Sequence, residues 1–146
     1  MTVAARHALV DTAAGQALLG EDALENIRVE LEKLGLRPVR RKLAASELQR
    51  LSASGVGGTA QVTGVVLLPT AVAGNVGVCA FIVLGGRDRI TPRLLPCSLL
   101  AALKVNVNLA KMSLESPRGE VPMTQYPWGH VAVDICGHYE GDFFLF

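Results

Sequence analysis

Asp11 follows the apolar run Ala8-Leu9-Val10 and is followed by Thr12, Ala13, Ala14 and Gly15. A strand that enters a turn of small residues presents its carboxylate at a sharp bend, with a hydroxyl neighbour to brace it. The chemistry that suits such a group is acid-base hydrolysis. Two carboxylates about 3 Å apart hold one proton between them; one activates a water and the other protonates a carbonyl oxygen. No other aspartate has this setting, because Asp22, Asp88, Asp134 and Asp142 lack a following Thr or Ser and small residue. The second carboxylate is therefore expected from another copy of the chain, across a two-fold axis that brings identical residues face to face. Asp11 and Thr12 would equally suit the plain capping of a turn.

A second candidate is the glycine-rich Gly55-Val56-Gly57-Gly58, which precedes the β-branched stretch Val62 to Leu68. Such a hairpin tip can close over an extended peptide and offer it backbone amides, although an ordinary hairpin turn has the same composition. Other constellations are poorer. Cys79, Cys97, Cys136, His130 and His138 contain ligand atoms but no Cys-x-x-Cys pair, so no metal is expected. Gly55 to Gly58 lacks the Gly-Lys-Ser/Thr ending of a phosphate loop, and no cofactor is expected. Tyr126 and Trp128 read as packing residues.

The elements that must position these groups follow from periodicity. Residues 6–11 read as a strand ended by Ala13, Ala14 and Gly15. The main helix is expected over 21–34: Glu21, Asp22 and Glu25 favour its start, Leu24, Ile27, Leu31 and Leu34 recur at helical spacing, and Gly35 stops it. Arg37, Arg40, Arg41 and Lys42 form the only basic cluster and read as a solvated loop or strand edge. Residues 43–53 suit either a helix or a strand. From 55 to 84, β-branched runs broken by Gly57, Gly58, Gly64, Pro69, Gly74 and Gly77 predict short strands joined by turns. Gly85 to Arg89 reads as a polar turn. Pro96 is expected to open a short helix to about Leu103. Val105 to Leu109 and Gly129 to Ile135 alternate like strands, with a Pro- and Gly-punctuated linker over 116–127 and an apolar end at Phe143, Phe144 and Phe146.

Length and composition set bounds. The 146 residues suffice for one domain but not two lobes, and 50% hydrophobic against 18% charged argues for self-association. A net charge of +1 favours neither nucleic acid nor an anionic membrane as partner. Three scattered cysteines suit a reducing compartment, as buried small residues. No apolar stretch approaches the roughly 20 residues that cross a bilayer, and Arg6 and His7 interrupt any leader-like opening. An intracellular, cytoplasmic protein is expected.

Over residues 6 to about 115 the order of these parts resembles the retropepsin-like aspartic proteases of retroviruses and retroelements. The motifs that carry the likeness are Leu9-Val10-Asp11-Thr12-Ala13-Ala14, the helix end Leu34-Gly35-Leu36, the glycine tip followed by Val62-Thr63-Gly64, and the late Leu94-Leu95-Pro96-Cys97-Ser98-Leu99-Leu100. The resemblance implies a mainly β, closed barrel-like subunit over 1–116, with 117–146 as a linker and strand-like tail. It also implies a homodimer that cleaves polypeptide, typically a polyprotein. Asp11 would be catalytic, Thr12 would brace the pair, and Ala13, Ala14, Val56, Gly57 and Gly58 would contact substrate. The chain departs from the family at Ala13 and Pro96, where glycine is usual, and these changes favour an alternative: a catalytically silent dimer that binds extended peptides. A small β-rich interaction domain is a third reading. The tail His130 to Ile135 is expected to join an intersubunit sheet in place of a short N-terminal strand.

Overall fold

The structure, a computed structural model, describes residues 2–53, 61–137 and 143–146. It is mainly β, with three α-helices among the described residues. Strand β1 (His7–Asp11) is followed by β2 (Leu18–Gly20) and then directly by α1 (Glu21–Lys33). Helix α1 forms where the periodicity expects it. Its Ala23, Leu24, Ile27 and Leu31 are buried, each of the larger three contributing about 1.5–3 kcal/mol. It ends as a Schellman turn: Gly35 takes φ 74°, its amide donates to the Glu32 carbonyl, and the Leu36 amide reaches back to that of Leu31.

Next come β3 (Val39–Arg41) and α2 (Ala45–Ala53), which places the ambiguous 43–53 segment on the helical side. The expectation of short broken strands over 55–84 is corrected from residue 61 onward. The chain there makes two long strands, β4 (Gln61–Val72) and β5 (Asn75–Gly85), paired antiparallel. Of the supposed breakers among the described residues, only Gly74 turns the chain. Ala73 and Gly74 both take positive φ, 48° and 82°, as a two-residue type I′ hairpin demands. Gly64 sits at a register shift and Gly77 is absorbed in β5. Pro69 occupies a position whose missing N–H points away from β5, and pairing with β3 has already stopped at Leu67.

A 3-10 helix (Gly86–Ile90) leads to β6 (Leu94–Pro96) and α3 (Cys97–Ala102), so Pro96 ends a strand and caps the helix instead of opening it. Strands β7 (Asn106–Asn108), β8 (Ser113–Ser116) and β9 (Gly119–Pro122) form a separate three-stranded sheet. Residues 116–127 are thus no linker, since they also contain β10 (Thr124–Gln125). Finally β11 (Val131–Asp134) pairs with β10 and β1, and β12 (Phe143–Leu145) with β5.

Among the described residues the large sheet has nine strands, in the order β10-β11-β1-β6-β2-β5-β4-β3, with β12 also on β5. Its end strands β10 and β3 do not pair among the described residues, so the expected closed barrel is corrected to an open sheet. Within the chain the tail strand β11 lies between β1 and β10. Leu19, Val66, Leu68, Phe81, Val83, Leu95 and Leu99 form the core between the sheet and α1 and α3. Among the described residues no helix is long and apolar enough to cross a membrane.

Candidate active site

Asp11 is the last residue of β1, an interior strand of the large sheet. β1 pairs antiparallel with β11 and parallel with β6, in the register Leu9↔Leu94, Val10↔Leu95 and Asp11↔Pro96. β6 in turn meets β2 at Leu18↔Leu94. A late strand therefore lies between the strands that enter and leave the turn at 12–17. The apolar Leu94-Leu95 pair drives this insertion, Leu95 being fully buried. The turn cannot drift relative to β6 without breaking pairs on both sides.

Within the turn the Ala13 amide donates to Asp11 Oδ1 at 3.1 Å, and the Ala14 amide donates to the Asp11 carbonyl at 3.1 Å. This is the local side-chain-to-backbone bond that Asp readily makes two residues on. Among the described residues Oδ2 has no hydrogen bond. Asp11 is half-buried, while Thr12, Ala13 and Gly15 are exposed and Ala14 intermediate. The carboxylate is thus oriented by one oxygen and open at the other. Val56, Gly57 and Gly58 lie outside the described residues, so only Asp11, Thr12, Ala13 and Ala14 of the expected site come together here.

Two departures from the resemblance take on physical meaning. A parallel ladder bonds each residue to the neighbours of its partner, not to the partner itself. The Leu9 amide donates to Arg93 O at 2.8 Å, which sets that phase and leaves the nitrogen of residue 96 facing away from β1. Proline there deprives β1 of no donor. Positive φ among described non-glycine residues is confined to Ala73, Lys104 and Met112, so Ala13 sits in its turn without backbone strain.

Sequence reasoning missed two groups. Gln16, at the end of the turn, has a buried Oε1 with no hydrogen-bond partner among the described residues. A polar residue between Gly15 and the apolar Ala17-Leu18-Leu19 was the available signal. Arg93, just before β6, is 1% exposed. Its Nε donates to His7 O at 2.6 Å, Nη1 to Ala23 O at 2.7 Å and Nη2 to Ala4 O at 2.7 Å. Burial lowers its pKa to about 10, which still leaves it protonated near neutrality. One side chain thus ties the N-terminal segment, β1 and α1 to the strand beside Asp11.

Of the cysteines, Cys79 and Cys136 are buried as expected, and burial pushes their thiols up to about 12 and about 11. Cys97 is the correction, exposed at the start of α3 next to Pro96. Tyr126 and Trp128 stack at 4.6 Å, and Tyr126 Oη accepts from the Ala4 amide at 2.9 Å and meets His7 Nδ1 at 2.8 Å. Among the described residues no three His, Cys, Asp or Glu gather as metal ligands. No family model, curated protein or solved structure matches the chain.

Proposed function

We propose that the chain is one half of a homodimeric, retropepsin-like aspartic endopeptidase, in which Asp11 from two copies hydrolyses a peptide bond, as in polyprotein processing. The observation that carries this reading is Asp11 itself. It ends an interior strand held between β11 and β6, with one oxygen fixed by the Ala13 amide and the other open. Two such groups across a two-fold axis would share one proton; one would draw the proton from a water and the other would protonate the carbonyl oxygen. Thr12 would brace the pair from its exposed position.

The second reading, a silent dimer that binds extended peptides, rests on Ala13. Its methyl group stands on the exposed side of the turn, where substrate and the paired copy would approach. One experiment separates the two. Purified protein is incubated with a diverse peptide mixture at mildly acidic pH, with and without a statine-type inhibitor, beside Asp11→Asn. Cleavage abolished by both the inhibitor and the substitution is expected. Cleavage that survives Asp11→Asn excludes the mechanism, and peptide binding without cleavage selects the silent dimer.

A further inference from the structure

The large sheet ends at β3, whose one strand partner among the described residues is β4. The neighbouring strands decide which way its backbone groups point. In β5 the amides of Ala80 and Ile82 face away from β4, donating to Phe146 O at 3.2 Å and to Ala17 O at 2.9 Å. Opposite residues of an antiparallel pair turn either both toward each other or both away. Leu67 and Val65, opposite Ala80 and Ile82, therefore turn their backbone groups to Val39 and Arg41 of β3. Arg40, between those two, aims its N–H and C=O outward, where no described group bonds either. Residues 39–42 are all exposed, and Arg37, Arg40, Arg41 and Lys42 give this edge a strong positive charge. Glu21 and Glu47 hold Arg40 and Arg41, whereas Arg37 and Lys42, flanking β3, have no ion pair among the described residues. At the Arg37 end the edge runs into a groove of ≈ 470 Å³ whose lining includes Leu36, Pro38 and Arg28.

We infer that the edge of β3 binds an extended acidic segment of a partner protein, which joins the large sheet as one more strand. An outward N–H beside an outward C=O is complemented by another polypeptide backbone, whereas a phosphate backbone offers acceptors alone. A second copy of this chain does not suit the edge, because it would set one cationic strand against another. Two carboxylates of the segment, about five positions apart, meet Arg37 and Lys42, and an apolar side chain beyond them enters the groove over Leu36 and Pro38. Charge on an edge strand repels unwanted strands, and a partner of opposite sign turns that barrier into selectivity. None of this depends on what Asp11 does.

The test is an NMR titration of the full chain with a synthetic peptide of alternating Thr and Val that carries two Glu about five positions apart. The same peptide with Lys in place of Glu, and an oligothymidylate, are titrated beside it. The Glu peptide is expected to bind with a Kd below about 1 mM and to slow hydrogen exchange of the Arg40 amide at least about 10-fold at saturation, while the Lys peptide does not bind. The double variant Arg37→Glu, Lys42→Glu should weaken binding at least about 10-fold. Both side chains are exposed, so an unchanged melting temperature is expected of that variant. Absence of binding by the Glu peptide, equal binding of the Lys peptide, binding that leaves Arg40 exchange unaltered, or full affinity in the folded double variant overturns the inference. Tighter binding of the oligothymidylate at this edge overturns it as well, in favour of a nucleic-acid partner.

Discussion

Ala13 is the residue at which the sequence and the geometry pull in different directions. Against a family that uses glycine, it looks like a defect. In the folded turn its φ is not positive, and what Asp11 needs from it is only the amide that donates to Oδ1. Ala13→Gly should therefore relieve nothing and cost stability, by about 0.4–1 kcal/mol, through the greater freedom of the unfolded chain. Urea denaturation reads this directly, and a stabilised Ala13→Gly would reveal strain in the turn. The position of Asp11 was legible because an apolar run followed by Asp-Thr-small-small is a purely local pattern. The orphaned oxygen of Gln16 was not, since burial of one side-chain atom depends on what packs over it.

At the scale of elements, a polar cluster ties α1 to the paired strands β3 and β4. Arg40 donates to both oxygens of Glu21, at 2.9 and 2.8 Å, and Thr63 Oγ1 donates to Glu21 Oε1 at 2.7 Å. The Arg40 guanidinium, aided by Thr63, holds the Glu21 carboxyl below the usual carboxylate range. A depressed folded-state value means stability that is complete above the unfolded value, about 4.3, and lost as pH falls through the lower folded one. Both partners are partly exposed, which limits the contribution to about 1 kcal/mol or less. Glu21→Gln should thus destabilise the protein at neutral pH and flatten this part of the acid limb in melting curves. Identical wild-type and variant curves from pH 6 to about 3 would mean that the pair contributes nothing. Helix α1 was readable because its stripe and its glycine stop are local. The long β4 and β5 were not: Gly64, Pro69 and Gly77 look like breakers in isolation, and only pairing across the hairpin shows that each sits where the ladder tolerates it.

The whole molecule is held together at Arg93, which joins the segment before β1, β1 itself and the first turn of α1 to the start of β6. Arg93→Met would remove a desolvated charge but take one hydrogen bond from each of the His7, Ala23 and Ala4 carbonyls, of which Ala4 keeps that of the His7 amide, for a net loss of about 2–4 kcal/mol. Chemical denaturation measures it, and an unshifted midpoint would mean that water replaces the guanidinium. By itself the sequence determined the local features: the carboxylate at a strand end, the main helix and its stop, the prevalence of β structure, and the absence of a second Asp-Thr turn in the same chain. Each depends on a few neighbouring residues. Only the tertiary structure decided that β6 lies between the arms of the Asp11 turn, that β11 closes on β1 within one chain, and that the sheet stays open. Those outcomes depend on hydrogen bonds between residues far apart in the chain, where the side-chain pattern of one strand is compatible with several partners and the packing of all of them selects one.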